Sequence, residues 1–140
     1  MRFERTIDID APAHQVWRLW TDVEDWPRWT ASITSVRRLD SGPFGVGSKA
    51  RVKQPRLPTT VWEVTECDPD ASFVWVASSP GVRTVATHRI TPADAGVSVL
   101  AVVEQTGPLA PVVNLLLGSL TRRYLTMEAE GLKKAAESGG

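Results

Sequence analysis

The side chains best placed for acid–base or hydrogen-bonding chemistry are His88, Tyr124 and Glu128. A histidine, with an ordinary pKa of about 6.5, can donate to a ligand carbonyl or move a proton near neutral pH. Tyr124 offers a hydroxyl, and Glu128 follows four residues later, at the edge of the same helical face. Each has a plainer reading: a buried histidine satisfied by backbone, an aromatic core residue, a solvated carboxylate. Glu104, in an otherwise apolar strand, invites the same choice, since a buried carboxylate is costly unless paired. His14, early in a helix among polar neighbours, reads as surface. The aromatic content is skewed, with six tryptophans against one tyrosine and three phenylalanines. Trp29, Trp62 and Trp75 could stack on a flat ligand or fill the core. Leu120 and Met127 share a helical stripe with Tyr124 and join the candidate contact set. Trp17 lies off its helix's apolar face and reads as packing or surface.

Other chemistries lack residues to perform them. Two histidines and one cysteine, far apart, show no metal-ligand spacing. Gly42, Gly45 and Gly47 surround Pro43 and Phe44 between two strands, with no helix following to make a phosphate site. No serine sits in a nucleophile elbow. No cofactor is called for. Lys49, Arg51 and Lys53 share a strand face preceded by Arg37 and Arg38, but such a stripe reads as a solvated face balanced by acids such as Glu63. Formal net charge is zero and pI about 6.7, so no global field draws nucleic acid or anionic lipid.

Positioning falls to a long C-terminal helix and a run of strands. After Gly107-Pro108-Leu109-Ala110-Pro111 the chain has no proline, and prolines at that point mark a helix start. Val113, Leu117, Leu120, Tyr124, Met127 and Gly131 recur at spacings of four and three. A second row, Val112, Leu116, Leu125, Leu132 and Ala136, lies beside it. The N-terminal half is apolar nearly all round, and Gly118 is a candidate bend. Residues 3–9 alternate as a half-buried strand. Asp10-Ala11-Pro12 starts a short helix with apolar face Val16, Leu19, Trp20 and Val23, broken at Thr21-Asp22. A second short turn ends at Trp26-Pro27-Arg28-Trp29. Strands follow over residues 33–39, 47–54, 59–67, 72–79, 82–91 and 97–105, separated by tight turns, as in an antiparallel meander. Trp62 with Val64, Trp75 with Phe73, and His88 with Thr84 and Ala86 are taken as inward. The strand over residues 97–105 is apolar on both faces and its facing stays open.

At 140 residues the chain reads as a single domain spanning residues 1–140, 42% hydrophobic and 23% charged, with Ser138-Gly139-Gly140 as a loose tail. The only cysteine, Cys67, fits a reducing compartment. The N-terminus shows no apolar signal region, and no apolar run reaches membrane-spanning length, so the cytoplasm is the expected location.

This order of elements resembles the START-like superfamily, also called SRPBCC or helix-grip, nearest its polyketide cyclase/dehydrase and lipid-transport branch. The likeness is carried by Ile9-Asp10-Ala11-Pro12 with Val16-Trp17, Thr21-Asp22 before Trp26-Pro27-Arg28-Trp29, and His88-Arg89-Ile90-Thr91-Pro92. Gln105-Thr106-Gly107-Pro108-Leu109-Ala110, leading into Tyr124-Leu125 and Gly131-Leu132-Lys133, completes it. It implies an α+β fold: about seven curved antiparallel strands gripping the long helix, with two short helices between the first two strands. It implies a deep cavity above that helix for an apolar or aromatic small molecule, and no shared catalytic set. The expected function is binding or carriage of a hydrophobic small molecule: a lipid, polyketide or aromatic compound. The alternatives are a cyclase or dehydratase using His88, Tyr124 or Glu128 as acid or base, and a regulatory module with an occluded interior.

Overall fold

A computed structural model describes residues 1–139; Gly140, read as the end of the loose tail, lies outside the described residues. Seven strands form one antiparallel sheet: β1 (Arg2–Ile9), β2 (Ser35–Arg38), β3 (Lys49–Lys53), β4 (Thr60–Asp68), β5 (Ser72–Ser79), β6 (Val82–Ala93) and β7 (Gly96–Thr106). Their spatial order is β1-β7-β6-β5-β4-β3-β2, so β1 crosses over to pair with β7 and the meander runs outward from there. Helix α1 (Ala13–Thr21) and a 3₁₀ segment (Val23–Arg28) connect β1 to β2, and helix α2 (Ala110–Glu137) follows β7. The curved sheet and long helix make the helix-grip architecture.

Alternation decides the inner face. In β5, Phe73, Trp75 and Ala77 are buried between half-exposed neighbours. In β4, Trp62 and Val64 face inward; the register then shifts between Val64 and Glu66, and the extra residue turns Cys67 inward opposite Phe73. Cross-strand register fixes β7, whose sequence is apolar on both faces. Ala101, Val103 and Gln105 pair with His88, Ala86 and Thr84, and therefore share their inward face.

Several boundaries differ from expectation. β2 begins at Ser35, not residue 33, because residues 30–33 form a turn. There Thr30 and Ser32 share a 2.6 Å hydroxyl hydrogen bond, and Ile33 is buried beneath it. Helix α1 begins at Ala13 with Pro12 in the cap position and no side-chain cap. The Asp10 backbone N–H instead donates to Glu137 at the far end of α2. Helix α2 is continuous through Gly118, whose open side lets Phe3 of β1 approach.

Candidate functional site

The helix and sheet do not seal. Between them lies a cavity of about 380 Å³, walled by the inner faces of β3 to β7, one face of α2, the 3₁₀ segment and the loop over residues 54–59. The sheet side is built largely of small residues, Ala77, Thr84, Ala86 and Ala101, with Val103 and Gln105 beside them. The helix side presents Val113, Leu117, Thr121, Tyr124, Leu125 and Glu128, a set at steps of three and four that turns one face to the void.

The inner end is aromatic and rigid. Trp26, Ile33, Trp75 and His88 close it, all buried. The Trp26 indole Nε1–H donates to the Trp20 carbonyl at 3.1 Å, which fixes its ring. Trp75 packs against Trp26 with centroids 5.3 Å apart and against Trp62 at 5.5 Å. His88 stacks on Phe73, centroids 4.1 Å apart and planes 7° from parallel, with the Trp20 ring edge-on at 5.1 Å.

Glu128 meets His88 here. Its Oε1 lies 3.6 Å from His88 Nε2, too far for a hydrogen bond but close enough for ion pairing if the imidazole is protonated. His88 Nδ1 is buried without a partner. With Nε2 carrying the proton toward Glu128, Nδ1 is a bare acceptor, which costs less than an unpaired N–H donor at that position. Both side chains are largely withdrawn from water, 5% and 16% exposed.

The structure thus brings Trp62, Trp75, His88, Tyr124 and Glu128 to one cavity. It does not bring Trp29, Leu120 or Met127. Trp29 sits behind Trp26 and presses its carbonyl on Gly131 of α2, so its ring is held in packing. Leu120 and Met127 lie on the flank of α2, because the buried stripe runs through Gly118, Leu125, Ala129, Leu132 and Ala136; of the second apolar row only the C-terminal part is buried, and Val112 and Leu116 are exposed. That placement follows from α2 packing on β1, where Phe3 and Leu125 form a small cluster with Ala101. The Tyr124 hydroxyl donates to the Pro55 carbonyl at 2.5 Å, which commits it to the 54–59 loop. Glu104 is solvated and paired with Arg2 at 3.2 Å, and His14 is exposed.

A family model described as polyketide cyclase / dehydrase and lipid transport matches residues 1–137. The chain belongs to this family. Among solved structures, the Zhui aromatase/cyclase of a Streptomyces species superposes with a TM-score of 0.81 at 18% identity, covering 100% of this chain and 98% of that one. The di-domain aromatase/cyclase StfQ of the steffimycin biosynthetic pathway gives 0.79 at 14% identity, covering 98% of this chain and 50% of that one. Thermus thermophilus TTHA0849 gives 0.75 at 19% identity, covering 100% and 98%. At these identities the likeness concerns the fold. A comparison with curated proteins gives no match.

Within this cyclase/dehydrase and lipid-transport domain, sequence reasoning missed Trp26 and Gln105. Trp26 reads as the end of a helical turn because Pro27 follows it, and its burial at the cavity emerges only in the structure. Gln105 gives no signal without the register that pairs it with Thr84. Among the described residues no cluster of His, Cys, Asp or Glu could hold a metal, and no helix is long and apolar enough to cross a membrane.

Proposed function

We propose that this chain binds an apolar, partly aromatic small molecule in the cavity between sheet and helix. The carrying observation is an unfilled volume of about 380 Å³, within the roughly 300–1,000 Å³ of small-molecule pockets, lined by apolar and aromatic side chains. Trp62 and Trp75 offer ring faces, and His88 with Glu128 offers one polar anchor at the closed end. A ligand hydroxyl directed there would meet an acceptor in the Glu128 carboxylate.

Filling the void tests this. Ala86 lies between Trp75 and Val103 in the sheet and points into the cavity. Ala86→Phe should abolish the tryptophan-fluorescence response to polyaromatic or acyl ligands while leaving thermal stability equal or higher. Absence of any saturable response from the unaltered chain, across a broad ligand panel, would overturn the reading.

A second reading, an acid–base enzyme, draws on the His88–Glu128 pair. In a cyclisation the bound chain is folded by the cavity walls, and one base removes a proton from carbon between carbonyls. Glu128 would accept that proton, with the His88 imidazole beside it at 3.6 Å. Glu128→Gln keeps the shape of the side chain and removes the base. Under this reading it binds ligand yet loses turnover of a poly-ketone substrate; equal turnover would remove the mechanism. An occluded interior would favour the regulatory module reading, and the open volume of about 380 Å³ does not supply it.

A further inference from the structure

The zero net charge conceals a sorting of charge along the strands. Segments 53–62, 76–87 and 105–127 carry Lys53, Arg56, Arg83, Arg122 and Arg123, and no carboxylate. Loops 9–12, 39–48, 66–71 and 92–96 carry Asp10, Asp40, Glu66, Asp68, Asp70 and Asp94, and no lysine or arginine. Register puts the two groups at opposite ends of the sheet. Val52 pairs with Thr60, Ser79 with Val82 and Arg83 with Thr106 at one end; Asp68 with Ser72, Ala93 with Gly96 and Ile9 with Val97 mark the other. Glu4 and Glu104, which border the basic end, are both held by Arg2.

The basic end is also the greasy one. Leu109 is 48% exposed, Val112 50%, Leu115 82% and Leu116 74%, all at the start of α2. Arg122 and Arg123 follow about two turns beyond Leu115 and Leu116, both exposed, with the Arg122 guanidinium over the Phe3 ring of β1 at 5.0 Å. The cavity opens here: Leu57, Pro58, Pro80 and Leu109 rim it, whereas Trp26, Ile33 and His88 close the other end.

We propose that this end docks on an anionic lipid surface, with the first turns of α2 in the interfacial layer and the cations over the headgroups. An exposed apolar helix face followed by arginines is the pattern of an interfacial helix, and basic residues near an anionic surface are drawn to it. A second copy of the chain fits poorly, because two such ends facing each other oppose cations to cations. A folded acidic protein matches the charges but must bring its own apolar patch; a bilayer supplies both. The proposal takes its use from the binding reading, since a mouth against a bilayer passes an apolar guest without crossing water. The docking itself requires no ligand.

The test is co-sedimentation of the full chain with phosphatidylcholine vesicles, alone or containing phosphatidylglycerol at about one third. Binding should be at least about tenfold stronger to the anionic vesicles and fall with added salt. The double variants Leu115→Ser with Leu116→Ser, and Arg83→Glu with Arg123→Glu, should each weaken it at least about tenfold. Circular dichroism checks that these exposed changes leave the fold intact. No vesicle binding, equal binding to both vesicle types, or unaltered binding by both variants overturns the proposal. So does self-association, or capture by an acidic protein, without vesicle binding. Ligand titration in vesicle-free buffer is a separate readout: its failure with vesicle binding retained removes the cavity reading and leaves the docking face standing.

Discussion

Gly131 permits a test in which two like substitutions move stability in opposite directions. A Cβ at Gly131 would stand 2.1 Å from the Trp29 carbonyl oxygen and 3.3 Å from the Trp29 ring. That oxygen is backbone and cannot rotate away, so helix and 3₁₀ segment must separate by about 1 Å in an interior packed near crystal density. Overpacking costs about 1–3 kcal/mol, and a clash with backbone that cannot give falls in the upper part of that range, about 2–3 kcal/mol. Removing a helix-interior glycine returns about 1 kcal/mol. Gly131→Ala should therefore destabilise by about 1–2 kcal/mol net and lower Tm by about 3–8 °C. Gly118 is the internal control. The first atom its Cβ meets is Asn114 Oδ1 at 3.0 Å, the tip of a side chain that can swing aside, and Phe3 stays at 3.9 Å. Gly118→Ala should leave stability unchanged or raise it by up to about 1 kcal/mol. Thermal denaturation followed by far-UV circular dichroism reads both. The two variants also part at the site: Trp29 contacts Trp26, centroids 5.9 Å apart, and Trp26 lines the cavity. Gly131→Ala should weaken ligand response and Gly118→Ala should not. A shift of the same sign in both variants would refute the packing argument.

Tyr124→Phe removes the hydrogen bond to Pro55 and should cost about 1 kcal/mol. Faster amide exchange within residues 54–59, with the core unchanged, would show that this bond pins the loop at the mouth; unaltered exchange would deny it. The Glu137 carboxyl is held below its ordinary value of 4.5, first by the Asp10 backbone N–H and then by Lys133. A lowered folded pKa contributes stability above the unfolded value, which is lost as pH falls through the folded one. Glu137→Gln should therefore lower Tm at neutral pH, and its gap to the parent should close as acidification proceeds below the ordinary value of 4.5; a constant gap would exclude the linkage. Burial, then the neighbouring Asp68 charge, pushes the Cys67 thiol above its ordinary 9.0. Its reaction with a disulfide reagent near pH 8 should be slower than that of free cysteine, and Asp68→Asn should speed it.

Where one face of an element meets the core and the other meets water, the residues declare it. The alternation in β5 marks residues 72–79, the bounds observed, and the alternating Trp62 and Val64 place themselves inward. β7 conceals its facing because both sides are apolar, and only pairing with β6 resolves Ala101, Val103 and Gln105. Helix α2 conceals its orientation for a related reason. With apolar residues nearly all round its first half, either row could face the sheet, and packing on Phe3 decides against Leu120 and Met127. The aromatic floor is harder still. That Trp29 packs while Trp26 lines the void depends on the close approach of the Trp29 carbonyl to Gly131, a contact between residues 102 apart that no local pattern encodes. Net charge fails differently, since a sum over the chain erases its arrangement along the strands.

Why a hollow persists follows from where the small residues fall. In the second half of α2 they lie on the helix: Ala129, Gly131, Ala135 and Ala136. There the connecting segment can press close, and large buried side chains, Trp20, Trp26, Phe73 and Leu132, fill what remains. In the first half they lie on the sheet, as Ala77, Thr84 and Ala86, which line the void together with Val113, Leu117 and Thr121. Side chains of that length, on a helix already anchored at its other end, do not reach a sheet stripped to small residues. The 54–59 loop, tied by Lys53 to Leu57 and by Tyr124 to Pro55, further holds that side apart. The void is thus the product of placing bulk at one end of a rigid helix and removing it from the sheet at the other, and a larger side chain at Ala77, which pairs with Thr84 away from the aromatic end, should narrow it without disturbing that end.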